Sequence, residues 1–181
     1  MTTYVAFLRG VNLGPQRTVP MARLAALGRE LGYDDVWTWV NSGNLVLSTA
    51  RPADEVEREV AAALEREYGT TVDVMVRPAS ELRTLLDANP FSEGSPSRVT
   101  LAFLAGPPSP DAERRMAEVA SPAEDFRLAG REVWVHYGDG LAHSKLAVGF
   151  SKIVGVSATT RTLGTVSKIV AKIEARAAAA S

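Results

Sequence analysis

The sequence predicts an α+β protein made of two halves, each containing a βαββ run, with mostly antiparallel sheets and helices packed on one face. Three observations predict it. Short apolar runs of strand length alternate with apolar residues at helical spacing, the two periodicities that distinguish strands from helices. The opening elements run β-α-β-β-α-β. After a loop rich in Pro, Ser and Gly from Asn89 to Ser97, the β-α-β-β order starts again. The expected boundaries are a first half over residues 1–78, a helix and linker over 79–97, and a second half with C-terminal helices over 98–181.

Tyr4 to Arg9 reads as a buried strand stopped by Gly10, and Val11 to Val19 as a polar loop with Asn12, Gly14 and Pro15 as turn residues. Pro20 opens a helix, where its missing N–H costs nothing. Met21, Leu24, Leu27 and Leu31 recur at helical spacing, and Gly32 supplies the stop. Val36 to Val40 and Leu45 to Leu47 form a hairpin across Asn41-Ser42-Gly43-Asn44. Pro52 opens the second helix, with Val56, Val60, Ala63, Leu64 and Tyr68 on its inner face. Asp54, Glu55 and Glu57 occupy its first turns, where the helix dipole favours negative charge, and Gly69 ends it. Thr71 to Val76 alternates as a strand, which completes a split βαβ, or ferredoxin-like, order. Ala79 to Ala88 is a further helix. In the second half Val99 to Leu104 is a strand and Asp111 to Val119 a helix. Phe126 to Leu128 and Val133 to Tyr137 are strands joined at Ala129-Gly130-Arg131. Leu141 to Phe150 is expected to be helical, and a last helix to run from about Thr165 to Ala178. The repeat is one of element order; no residue-level repeat is seen that would prove duplication.

Apolar residues make up 46% of the chain and charged residues 23%, ordinary values for a folded domain rather than a disordered one. No apolar run approaches the roughly 18 residues that cross a bilayer, and the first residues lack the basic and apolar regions of a signal peptide. The absence of cysteine removes disulfides, thiolate catalysis and cysteine-held zinc, and fits a cytoplasmic setting. Net charge is −1, so nothing global marks a nucleic-acid binder. Its distribution is uneven. Met1 to Tyr137 carries 14 Lys/Arg against 19 Asp/Glu, a net of −5, whereas Gly138 to Ser181 carries 6 against 2, a net of +4. All four lysines, Lys145, Lys152, Lys168 and Lys172, lie in that last segment. A basic segment on an acidic body either attracts an anion or is simply a solvated helix face.

Most chemical constellations fail. Neither a phosphate-binding P-loop nor a dinucleotide fingerprint is present. With two histidines, His136 and His143, no multi-histidine metal site is expected, and no cofactor is implied. Three polar clusters remain. Arg9-Gly10-Val11-Asn12-Leu13-Gly14 places an arginine and backbone N–H groups at a strand end, which suits an anion, or else forms a turn with Arg9 paired to a carboxylate. Asn41-Ser42-Gly43-Asn44 satisfies the demands of a tight turn without further function. The third spans His143-Ser144-Lys145 and Thr159-Thr160-Arg161-Thr162 with Thr165. Ser144, Thr162 or Thr165 would cap helices, and Arg161 ahead of a helix N-terminus would make an anion site. Trp37 and Trp39 share one strand face, and with Trp134 are core or nucleobase-stacking residues.

Taken in order, these clusters resemble a widespread bacterial family known as domain of unknown function 1697. Its pattern has an apolar strand, Leu-Arg-Gly-Ile/Val-Asn-Val-Gly, a Pro-Met helix start, a Ser-Gly-Asn hairpin, a Ser-Lys-Leu segment and Thr-x-Arg-Asn-Trp-Asn-Thr-Val. The matching residues here are Leu8 to Gly14, Pro20-Met21, Ser42-Gly43-Asn44 and Ser144-Lys145-Leu146. In the last motif Arg161, Thr165 and Val166 match, but Thr162, Leu163 and Gly164 replace the family's Asn, Trp and Asn. The resemblance implies the ferredoxin-like fold and supplies no function. It raises Arg9, Asn12, Ser42, Asn44, Lys145 and Arg161 above turn chemistry alone.

The leading expectation is a binding module for a phosphate-bearing ligand, either a nucleotide or a nucleic-acid strand. Arg9, Lys145 and Arg161 would supply charge, with Asn12, Ser42, Asn44 and Thr165 orienting it. An alternative is an enzyme on a small anionic substrate, with His143 as general acid or base. A third is a structural or partner-binding protein whose motifs only fix turns.

Overall fold

The computed structural model describes residues 1–13 and 18–179. The chain divides into two compact units, Met1–Arg83 and Thr84–Ser181. In the first, the elements are β1 (Thr2–Leu8), α1 (Met21–Glu30), β2 (Asp34–Thr38), β3 (Asn44–Thr49), α2 (Ala53–Tyr68), β4 (Val74–Pro78) and α3 (Ala79–Asp87), the last of which runs past the division. Its sheet has the order β2-β3-β1-β4, with every neighbour antiparallel. Side chains alternate across a strand, so Tyr4, Ala6 and Leu8 of β1 share a face with Leu45, Leu47, Val74 and Val76. Against that face pack Leu24 and Leu27 of α1 and Val56, Val60, Ala63 and Leu64 of α2, the residues whose spacing marks these helices. Pro20 and Pro52 precede α1 and α2, and α2 ends where the N–H of left-handed Gly69 bonds Glu65 O at 2.8 Å.

The second unit contains β5 (Val99–Leu104), α4 (Ala112–Val119), β6 (Glu124–Ala129) and β7 (Glu132–Tyr137). A 3-10 turn follows at Leu141–His143, then α5 (Phe150–Val154), β8 (Ala158–Thr162) and α6 (Leu163–Ala179). The sheet order is β6-β7-β5-β8, again antiparallel throughout. Its core joins Ala102, Leu104, Val133, Val135 and Tyr137 to Ala112 and Met116 of α4 and Phe150 and Val154 of α5. Among the described residues no helix is long and apolar enough to cross a membrane.

The α+β architecture of two ferredoxin-like halves is therefore present, and the second half is more complete than its sequence suggested. The stretch expected to be helical, Leu141 to Phe150, is a 3-10 turn and a run of turns, and α5 begins only at Phe150. Gly149, at φ 77, holds a left-handed backbone that a helix could not include. Strand β8 was not expected at all. It pairs with β5 from Thr100↔Thr162 to Leu104↔Ala158, the register that β4 adopts on β1 from Tyr4↔Pro78 to Leu8↔Val74.

These registers also uncover a repeat at the residue level. Aligned through them, Ala6-Phe7-Leu8-Arg9-Gly10 falls on Ala102-Phe103-Leu104-Ala105-Gly106. Arg77, paired with Val5, falls on Arg161, paired with Leu101. Both arginines are buried, at 1% and 9% exposure, and each donates from Nη1 to the carbonyl of the residue before it, at 2.9 and 3.0 Å.

Candidate functional site

The first two polar clusters interlock. Arg9 follows β1; its backbone N–H bonds Asp73 O at 2.9 Å, and its guanidinium pairs with Asp73 Oδ2 at 3.2 Å in water. Asn12 takes a left-handed backbone, φ 57, which short polar side chains tolerate. Its Oδ1 accepts from Val19 N at 2.8 Å. Its Nδ2 donates to Val19 O and Asn41 O at 3.0 Å each, with Asn41 Oδ1 at 3.2 Å. One amide thus ties both ends of the loop to the hairpin turn. Asn44, fully buried, donates from Nδ2 to Trp39 O at 3.0 Å and Ser42 Oγ at 2.9 Å. Between them Gly43 has φ +70, and a Cβ there would lie 2.5 Å from Val11 Cγ2 and 2.8 Å from Leu8 Cβ. Its carbonyl accepts from Leu8 N at 2.8 Å, so β1 closes onto the turn. Gly14 and Pro15 lie outside the described residues.

The third cluster divides. Arg161 lies on β8, bonded to Thr159 Oγ1 at 2.8 Å and Thr160 O, and burial pushes its guanidinium down to about 10. It remains charged at neutral pH. Thr162 is the N-cap of α6: its Oγ1 accepts from Thr165 N at 3.3 Å, and the two hydroxyls bond each other at 3.0 Å. The Thr-Arg-Thr segment is therefore the end of an edge strand leading directly into a capped helix.

His143 and Lys145 lie elsewhere in the second unit, both exposed on one cleft. Its volume is about 330 Å³, enough for a small ligand. Its walls are the α4–β6 turn and the loop after β7. Ser144 between them is largely buried but also lines the cleft, and its Oγ accepts from Ala147 N at 2.9 Å, which fixes the loop. Two carboxylates that sequence reasoning passed over line the same cleft, Glu124 and Asp139. Glu124 Oε2 is held by Ser121 N at 2.7 Å. Asp139 is exposed on the turn that follows β7. Among the described residues Lys145 has no carboxylate within ion-pair distance, although two share its cleft. The only signal in the sequence was the Asp139-Gly140 pair, which reads as turn chemistry. Among the described residues no group of three or more His, Asp or Glu gathers as a metal site.

A repeated β-α-β-β-α-β unit with a polar cleft at one end of its second sheet defines a two-unit ferredoxin-like α+β protein. The chain belongs to the family described as protein of unknown function DUF1697, whose model matches residues 1–134. The Ser144-Lys145-Leu146 and Thr160-to-Val166 segments lie beyond the matched residues. The chain is similar to the structure of the conserved bacterial protein SP0830 from Streptococcus pneumoniae. Identity is 19% over 96% of this chain and 99% of that one, with a TM-score of 0.76, a likeness of fold. An unknown protein from Galdieria sulphuraria matches at 13% identity over 89% of this chain and 98% of that one, with a TM-score of 0.27. No curated protein matches the chain.

Proposed function

We propose that the protein binds a small phosphate-bearing, hydroxyl-bearing ligand, of the sugar-phosphate or ribonucleotide class, in the cleft of His143 and Lys145. The observation that carries this reading is a lysine free of carboxylate partners among the described residues, sharing a cleft with the carboxylates of Asp139 and Glu124. A phosphate on Lys145 supplies the missing charge partner. A carboxylate such as Asp139 accepts from sugar hydroxyls, as acidic side chains do at ribose sites. A bare anion fits less well, because two carboxylates repel it. A nucleic-acid strand fits less well for the same reason. A cytoplasmic setting, where phosphorylated metabolites are found, is part of the reading.

The test is a thermal-shift screen of sugar phosphates, ribonucleotides and inorganic phosphate on wild type and Lys145→Ala. A ligand at a hundred times its Kd stabilises by about 2.7 kcal/mol, which for a chain of this size is roughly 5–10 °C. The shift is expected with the hydroxylated phosphates, to be smaller with inorganic phosphate, and to vanish in Lys145→Ala. Equal shifts in both proteins would reject the site. A second reading is favoured by His143 on the same wall: an enzyme that uses it as general acid or base on this ligand. In that case His143→Ala abolishes turnover and leaves the thermal shift in place; unchanged turnover rejects it.

A further inference from the structure

The second unit has another cleft, of about 390 Å³, between the loop ahead of β5 and the end of β7. Phe91, Ser92, Gly94, Ser95, Arg98 and His136 line it, with Glu93 as the carboxylate on its wall. The sequence marked this loop only as a linker, yet the loop is well tied down. Phe91 N bonds Asn89 Oδ1 at 2.9 Å, Gly94 N bonds Phe91 O at 2.9 Å, and Ser95 O accepts from Arg98 N and Val99 N at 2.8 and 3.1 Å. Gly94 passes so close to β5 and β7 that a Cβ on it would lie 2.7 Å from Val99 Cγ2 and 3.2 Å from His136 Cδ2.

The groups held in this way have a common chemistry. Arg98 is fixed by donating from Nη1 to Gly138 O, and among the described residues it has no carboxylate partner. An arginine anchored by a carbonyl rather than neutralised by an acid is poised to take an oxyanion. The His136 ring has no hydrogen-bond partner among the described residues and lies against Phe91, with centroids 5.8 Å apart and planes tilted by 31°. The Arg127 guanidinium stands 6.0 Å from the centroid of Phe91, a cation over an aromatic face, with its charge paired to Asp125 at 2.6 Å. The cleft therefore presents an aromatic wall next to a fixed cation, with two serine side chains on its lining.

We propose that this cleft is a binding site for a small aromatic oxyanion, its ring against Phe91 and His136 and its carboxylate or phosphate on Arg98. The site is separate from the cleft of Lys145, and its existence does not depend on the reading given to that cleft.

The experiment is an amide NMR titration of the full chain with phenyl phosphate, benzoate, inorganic phosphate and phenol. Phenyl phosphate and benzoate distinguish the two oxyanions; the other probes separate charge from ring. Saturable shifts are expected at residues 91–99 and 134–138 with one or both aromatic anions. Affinity for phenol or inorganic phosphate should be at least tenfold weaker. Arg98→Ala should abolish the shifts, and Lys145→Ala should leave them unchanged. Since Arg98 also holds Gly138, a second pair keeps the test independent of folding. Ser92→Asp should weaken the aromatic anions and spare phenol, whereas Glu93→Gln should strengthen them. No saturable shift at millimolar probe, shifts centred on the Lys145 cleft, or indifference to Ser92→Asp and Glu93→Gln would each overturn the proposal.

Discussion

Asn12 and Gly43 illustrate how single residues of the family motif act on the chain itself. Asn12 links Val19 and Asn41 through both ends of its amide and holds a positive φ. Asn12→Ala therefore removes several hydrogen bonds and adds backbone strain. We expect a loss of about 2–3 kcal/mol, read as a lower denaturation midpoint with an unchanged slope. Gly43→Ala is expected to cost at least as much, because its Cβ meets Val11 Cγ2 at 2.5 Å and Leu8 Cβ at 2.8 Å. At this scale the sequence was informative about turns, since Asn and Gly have few other reasons to cluster. It gave Asp139 only as part of a turn and said nothing of Glu124; their meaning comes from sharing a cleft with Lys145, which the turns after β7 bring about.

The elements were legible where apolar spacing was strong, as in α1, α2, β1, β5 and β7. Strand β8 was missed because Thr159-Thr160-Arg161-Thr162 is a polar run. Its β-branched residues favour a strand, but its hydroxyls read equally well as caps. Both were true, since Thr162 ends the strand and caps α6. Thr162→Ala should therefore destabilise by about 1 kcal/mol, and Thr162→Asn, a good cap, should restore much of it. The Ala-Phe-Leu-x-Gly repeat was also in plain view in the sequence. It gained meaning only when strand register placed Arg77 and Arg161 at equivalent positions.

For the whole molecule, ion pairs set the response to acid. Burial pushes the Glu59 carboxyl up, but the hydrogen bond from Tyr33 and the guanidinium of Arg51 outweigh it, holding it below the usual 4.5. Hydrogen bonds from Arg23 and Arg58 hold Glu67 and Asp54 down likewise. A carboxylate whose folded value is depressed contributes stability that is present above its unfolded value and is lost as pH falls through the folded one. Melting temperature should thus be level near neutrality and decline below about pH 4.5, with the decline shallower in Glu59→Gln. The charge contrast between an acidic body and a basic last segment was evident from sequence. Which of those lysines faces a cleft was not, because that depends on the turns after β7.

Calorimetric titration of ribose 5-phosphate and adenosine 5′-monophosphate into wild type, Lys145→Ala and Asp139→Ala reads out a ligand site at Lys145 and Asp139. Saturable binding to wild type is expected, with a loss of about tenfold or more in each variant. Identical affinities in all three proteins, or no binding of either ligand, would contradict a site there.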